Sequence, residues 1–280
     1  MAHFGCTASK SRITTKFVGL SLHPETKKYL MVTECGEYNL EQYKVLDIEP
    51  ESSDGFWCSI CNISLLLADC LECLHSSGFK HQNLDPTNVI MHKKSLRLIN
   101  IDRPNHHRRQ NYLPPEFFDN KPYTLESDIY CLGTLIWQLV TGIPPLGTAS
   151  ERPDGLREDF PPGMPKKFKS IIEDCWRLDP FRRPSASEVW ERLHRCQEEM
   201  RSCKLSPETR AFIIKRRSEA NVEFKKYVVV EKNEAKLHDH EDFIFVKKGG
   251  KDGWDSDGND SWILEEYDEM DREKDLIRRA

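Results

Sequence analysis

The sequence predicts an α+β fold, in which a small β-hairpin leads into a mainly helical body and then a charged tail. Three observations carry that expectation. First, two β-rich apolar runs, FVGLSL from Phe17 and KKYLMVTEC ending at Cys35, flank the Pro-bearing turn His23-Pro24-Glu25-Thr26, the pattern of a hairpin. Second, four later stretches place apolar residues at helical spacing: Cys58 to His75, IYCLGTLIWQLVTG after Asp128, FKSIIEDCWRL, and SASEVWERLHRC. Third, Gly78 to Pro104 reads as a polar loop followed by two short apolar strands around a Lys-Lys turn, with His81, Gln82, Asn83, Asp85 and Asn88 at one end and Asn100 and Asp102 at the other. A loop and two strands that gather polar groups in this way are a common way to build an active site.

In chain order, residues 1–16 are polar and without a clear period. Residues 17–40 hold the hairpin and its connector, EQYKVL reads as a short helix, and residues 47–55 read as an acidic loop. The helix ending at His75 is stopped by Ser76-Ser77-Gly78. The helix after Asp128 is apolar nearly all round, which places it at the centre of the domain. A Pro/Gly-rich connector covers 143–165, and the last two helices are separated by Asp179 to Pro184. From residue 196 to 280 the chain is a charged extension; KLSPETRAFIIKRRSEANVEFKKYVVVEK could hold a helix and a strand, and the acidic, glycine-broken end is expected to be partly disordered. Trp254, Trp262, Ile263 and Leu264 within it could form a docking motif.

Composition narrows the function classes. A hydrophobic content of 38% supports a real core across 280 residues, while 31% charged residues and a mean hydropathy of −0.64 leave some segments poorly buried. A net charge of −5 and a pI near 6.1 lack the basic footprint of a nucleic-acid binder. No run of about 18 apolar residues suggests a membrane span, and the first residues offer no apolar signal core. The 10 cysteines are therefore expected to be reduced thiols of a cytoplasmic protein. Cys58/Cys61 and Cys70/Cys73 are CxxC pairs, but their helical spacing favours buried core thiols over zinc ligands. The acidic run Asp255 to Asp260 has its glycine misplaced for an EF-hand, so calcium is not expected. Nor is another metal: His106-His107 has no acid or thiol close by. Asn62-Ile63-Ser64 fits a glycosylation acceptor but abuts a core helix.

Residues 17–195, with an N-lobe remnant and hinge at 17–40 and a C-lobe at 41–195, resemble the larger lobe of a eukaryotic protein kinase, with a tyrosine-kinase-like flavour. Five motifs in the right order carry the resemblance. KKYLMVTEC resembles the last N-lobe strand entering the hinge, with Thr33 at the gatekeeper and Glu34 and Cys35 on the nucleotide-binding hinge. LECLHSSGFKHQNLDPTNV resembles the helix and catalytic loop of the H-R-D-L-x-x-x-N signature. Tyr112-Leu113-Pro114-Pro115-Glu116 resembles the end of the activation segment, SDIYCLGTLIWQL the central helix with its buried aspartate, Asp128, and CWRLDPFRRPSASEV the close of the lobe. The resemblance implies a Glu116–Arg183 ion pair, an Asp128 carboxylate bonded to the catalytic-loop backbone, and loop-shaping roles for His81, Leu84 and Pro86.

The same resemblance puts the chemistry in doubt. Kinases need a carboxylate for the substrate hydroxyl, two groups on magnesium and a lysine on the nucleotide phosphates. Here Asn83 stands at the catalytic aspartate, Gln82 at the neighbouring arginine, and Asp85 where a lysine is common; Asn88 alone matches, at the metal-binding asparagine. The magnesium aspartate has two alignments. Asn100-Ile101-Asp102 keeps the cleaner strand alternation and puts an asparagine at the metal, whereas Asp102-Arg103-Pro104 keeps the carboxylate but replaces Phe-Gly with Arg-Pro. Upstream of Phe17, His3 to Cys6 offers no Gly-rich loop, and Lys10 and Lys16 lie too close to the next strand to leave room for the αC helix.

The resemblance thus implies a pseudokinase: a catalytically inactive signalling scaffold or binding module with protein partners, no resident cofactor, no nucleic acid and no membrane. The alternative is a divergent or N-terminally incomplete kinase using ATP and magnesium, and a degraded remnant is a third reading. Arg103 to Arg109 form a basic loop that could bind an acidic partner, and Tyr112 could accept phosphate, although a solvated loop is the expectation for both.

Overall fold

The computed structural model describes residues 13–22, 27, 29–34, 36–43, 55–92, 95–102, 108–151, 157–231, 243–248 and 262–265. The expected hairpin is present: β1 (Phe17–Leu22) pairs antiparallel with β2 (Tyr29–Glu34), with a register shift between Phe17 and Gly19. On β1 the apolar side chains of Phe17, Val18, Leu20 and Leu22 are all exposed. A second sheet forms from β3 (Tyr38–Asn39), β4 (Val89–His92) and β5 (Ser95–Leu98), each antiparallel to its neighbour. Residues 13–16 are tied to both sheets, since Leu98 N donates to Ile13 O (2.6 Å) and Glu34 N donates to Lys16 O (2.8 Å). The expected helix at EQYKVL is absent where it can be seen. Leu40, Glu41 and Gln42 form a turn closed by reciprocal Asn39–Gln42 bonds, a local alternative that a side-chain amide offers against a helix, and residues 44–46 lie outside the described residues.

The body is helical. α1 (Phe56–His75) begins two residues earlier than its periodicity suggests, because Phe56 and Trp57 are already core residues. By length and composition α1 is apolar enough to cross a membrane, contrary to the expectation that no segment is. It lies against the other body helices and buries Ile60, Leu67, Leu71 and Leu74 in the shared core. Cys61 and Cys70 belong to that face; their thiols are pushed up to about 12, by burial first, and donate to Leu193 O and Leu96 O.

After a one-turn helix α2 (Pro115–Phe118) comes α3 (Leu125–Thr141), at whose start Thr124 N donates to Ser127 Oγ (3.1 Å) and which is buried throughout from Ser127 to Thr141. Such a helix is the axle of the body. It meets α4 (Lys166–Cys175) closely at Gly133, where a Cβ would stand 2.6 Å from the Cys175 Cβ. α5 (Ala186–Ser202) begins with a Ser185/Glu188 capping box and runs through position 196 without a break, burying Cys196 and Met200. The extension continues as α6 (Pro207–Glu231), whose start is held to the body by buried Leu205, Thr209 and Ile213; Thr209 Oγ1 donates to Pro162 O and Arg217 Nε to Thr141 O. The stretch expected to hold a helix and a strand is thus helix from Pro207 through Glu231, with no strand in it among the described residues. Two strands follow, β6 (Phe243–Lys248) and β7 (Trp262–Glu265), and they join the β1–β2 sheet in the order β1-β2-β6-β7. Trp254 and the Asp255 to Asp260 run lie outside the described residues.

Candidate functional site

The polar loop between α1 and β4 is built on one carboxylate. Asp128, wholly buried in the first turn of α3, accepts hydrogen bonds from the backbone N–H of His81 (2.7 Å) and Gln82 (3.0 Å) and from the Tyr123 hydroxyl (2.7 Å), and it faces His75 Nε2 at 3.0 Å. Burial alone would raise its carboxyl, but the bond to His75 and the nearby imidazoles hold it below the ordinary range. Gln82 takes a left-handed backbone, φ 64°, in order to present its N–H. His81 is fully buried, its Nδ1 accepts from the Asn83 N–H (3.3 Å), and burial pushes its imidazole down to about 4.

Along this backbone the side-chain amide of Asn88 ties together the Asn83 main chain and the Asp85 and Asn100 side chains. Asn88 Nδ2 donates to Asn83 O (2.8 Å) and to Asp85 Oδ2 (2.9 Å), while Asn88 Oδ1 accepts from Asn100 Nδ2 (2.8 Å). Asn100 Oδ1 is buried without a partner. Asp102 points elsewhere: its exposed carboxylate accepts from Gln82 Nε2, and its N–H donates to His81 O (3.0 Å). Of the two residues weighed for one position, then, Asn100 meets Asn88 and Asp102 does not. Asp85 caps the short turn Pro86–Asn88 through Thr87 N (2.8 Å), and its carboxyl is raised by burial against the opposing pull of Thr87 and Arg109. Asn83, Asp85 and Asn88 are each exposed by 5% or less, so the loop presents little surface to a substrate.

On the hinge side, Glu34 Oε1 lies 3.4 Å from His92 Nε2, and Cys35 lies outside the described residues. Gly36 packs so tightly on β4 that a Cβ there would fall 1.8 Å from Ile90 Cγ2. A cavity of about 290 Å³ lies away from this loop, between the end of α1 and the starts of α3 and α5.

The segment from 108 to 116 is pinned at four places. Arg109 pairs with Glu41 through both guanidinium nitrogens (2.5 and 3.2 Å), Asn111 Nδ2 donates to Pro145 O (3.0 Å), and the Tyr112 hydroxyl donates to Gln138 Oε1 (2.5 Å). Glu116 forms the fourth, a buried two-bond pair with Arg183 (2.7 and 2.8 Å) joined by Ser127 Oγ (2.7 Å). Burial would raise the Glu116 carboxyl, but Arg183 and Ser127 bring it below the usual value. Tyr112 is 1% exposed, which overturns the expectation of a solvated residue open to phosphate. His106 and His107 lie outside the described residues. Among the described residues no His, Cys, Asp and Glu cluster could hold a metal ion.

Sequence reasoning missed His75, Tyr123, Gln138 and the Glu41–Arg109 pair. His75 and Tyr123 lie close in sequence to the loop and to Asp128, and a search for donors to a buried carboxylate would have found them. Glu41 and Arg109 stand 68 positions apart, and no local pattern links them.

A helical body turning on a buried helix, with a buried aspartate holding a polar loop and an Arg–Glu pair closing the segment beyond it, has the architecture of the protein kinase superfamily. The chain belongs to the protein kinase family: the family model for the protein kinase domain matches residues 20–194. It is 28% identical over 191 residues to a protein kinase and PP2C-like domain-containing protein of Arabidopsis thaliana, covering 50% of this chain and 29% of that protein. It is 28% identical over 186 residues to the membrane-associated tyrosine- and threonine-specific cdc2-inhibitory kinase wee-1.3 of Caenorhabditis briggsae, covering 60% of this chain and 27% of the relative. With mouse Aurora kinase C it shares 29% identity over 147 residues, covering 46% of this chain and 53% of the relative. The chain thus spans about half or less of the length of each of these relatives.

Proposed function

We propose that this kinase domain is a pseudokinase, a fold that has kept the shape of a phosphotransfer site without its reaction and serves as a protein-binding module. The observation that carries this reading is that neutral amides stand at positions 83, 88 and 100, with Asn88 and Asn100 bonded to each other and Asn88 also to the backbone carbonyl of Asn83. An amide at position 83 has no useful basicity, and losing general-base help costs about 10²–10⁴-fold in rate. Magnesium takes hard oxygens, preferably from carboxylates, and the two groups that would flank it are neutral amides bonded directly to each other. The nearest acids are otherwise engaged, Asp85 on Thr87 and Asn88, and Asp102 on Gln82. The residues in place do not fit a magnesium–nucleotide complex.

The competing reading, a divergent or incomplete kinase, draws on the retained Asn88 and on relatives that are named as kinases. Additional chain could supply a lysine and glycines but would not change Asn83. The partners of a pseudokinase are proteins, and its acidic balance fits a cytoplasmic setting better than nucleic acid. The deciding measurement is a thermal shift with ATP, with and without magnesium, alongside radiolabel transfer. No shift and no label are expected. A magnesium-dependent rise in Tm, or label incorporation that disappears in Asn88→Ala, would refute the reading.

A further inference from the structure

The two strands of the β1–β2 hairpin live in different surroundings. On β1 the apolar side chains are exposed, whereas on β2 Leu30 (2% exposed), Val32 (8%) and Thr33 (2%) are buried, although Val32 and Thr33 point to opposite faces. A strand buried on both faces belongs inside a sheet. The other edge of β2 is indeed filled: β6 pairs with it in parallel, from Met31↔Phe243 to Glu34↔Val246, and β7 pairs antiparallel with β6 from Phe245↔Glu265 to Lys248↔Trp262.

We infer that β6 (Phe243–Lys248) and β7 (Trp262–Glu265) are a strand donor built into the chain, and that they dock on the edge of β2 in cis and complete the β1–β2 sheet. Main-chain pairing of an extended segment on an open sheet edge is the physics of β-augmentation, here within one molecule. The segment suits the task, since FIFVKK and WILE are β-forming runs separated by a glycine-containing stretch. The need is also physical, because an isolated two-stranded ribbon is marginal in water and an open edge invites foreign strands.

The geometry favours the chain's own tail over a second copy. The start of α6 is anchored on the body by Leu205, Thr209 and Ile213, and the helix runs for 25 residues, about 37 Å. Residues 232–242 then link it to β6, and eleven residues reach at most about 36–40 Å. A tether of that length gives an effective concentration of about millimolar, which a free partner rarely matches. Because Val246 lies opposite Glu34, the pairing with β6 reaches the last residue of β2. The inference stands whether or not the domain transfers phosphate.

The test is hydrogen exchange on the full chain. Val246→Pro removes a ladder N–H and should speed exchange of the amides in 29–34 by about tenfold or more while α3 stays protected. Val246→Thr should leave both regions unchanged. Unchanged protection of 29–34 in Val246→Pro would overturn the inference. A second measurement needs no disruption: Met31→Cys with Phe243→Cys, opposite in register, should oxidise to an intramolecular bond identified by peptide mapping. Failure to form it, or its formation only between molecules in a dimer seen by light scattering, would equally overturn docking in cis.

Discussion

Arg183 donates to both oxygens of Glu116 and also to the carbonyls of Arg177 and Glu126, with its guanidinium carbon 5.0 Å from the Tyr130 ring centroid. Deleting the guanidinium leaves a buried carboxylate with only Ser127 beside it. Arg183→Ala should therefore cost about 3–5 kcal/mol in urea unfolding, and Arg183→Lys, which cannot make the fork, should recover only part of it. His81 makes a second prediction at this scale. Its folded pKa, about 4, lies below the ordinary value of about 6.5. Between those values the unfolded chain binds a proton that the folded chain excludes. Stability is therefore complete above about pH 6.5 and declines as pH falls toward 4, by about 3 kcal/mol in total. The lowered carboxyls of Asp128 and Glu116 add their own loss at more acidic pH, as it falls through their folded values. A Tm profile from pH 7.5 to 4.5 should show the first slope, and His81→Leu should flatten it.

Among the elements, the pinned segment from 108 to 116 decides how open the site can become. Glu41 and Arg109 are each about one-third exposed, so their pair contributes only about 1 kcal/mol to global stability. Its local effect should be larger, because it holds the segment over the Asp85 turn. Arg109→Glu should raise exchange at amides 108–113 with little change in Tm, and the swap Glu41→Arg with Arg109→Glu should bring protection back. If the single variant leaves exchange there unchanged, the pair is not a strap. The same region marks the limit of what the sequence could tell. Glu116, Arg183 and Asp128 were legible because each sits inside an ordered motif whose geometry travels with it. Tyr112 was misread because its neighbours Asn111 and Pro114 look like loop, and the Gln138 that buries it is 26 positions away. The alternation of Leu96-Arg97-Leu98-Ile99 favoured Asn100 over Asp102 at the magnesium position of the resemblance, and in the structure it is Asn100 that bonds Asn88, at 2.8 Å. EQYKVL has helical composition, but the Asn39–Gln42 exchange of side-chain bonds claims its first turn.

At the scale of the whole molecule, the helical body and the extension are not separate. α5 crosses the expected boundary at 195/196 without a break, and Ile213 on α6 is fully buried against the body. Ile213→Ala should cost about 2–5 kcal/mol by opening a cavity, as a core substitution would. A variant as stable as the parent in denaturant would mean that α6 is only loosely apposed. A helix was readable in the stretch after Cys203, but what it packs on was not, since that depends on Pro162 and Thr141 far away in sequence. The strands at 243–248 and 262–265 were equally hard to read, because short β-runs in an acidic, glycine-broken stretch carry a weak periodic signal beside a strong compositional one.

Asp128 holds the loop by the N–H groups of His81 and Gln82 and not by their side chains. Every amino acid but proline carries that group. The contour of the loop can therefore be inherited while letters along it change, because the bonds that Asp128 accepts do not depend on which side chains His81 and Gln82 carry. A lineage released from selection for phosphotransfer could lose the chemistry one residue at a time and still pass on an intact surface for another protein to recognise.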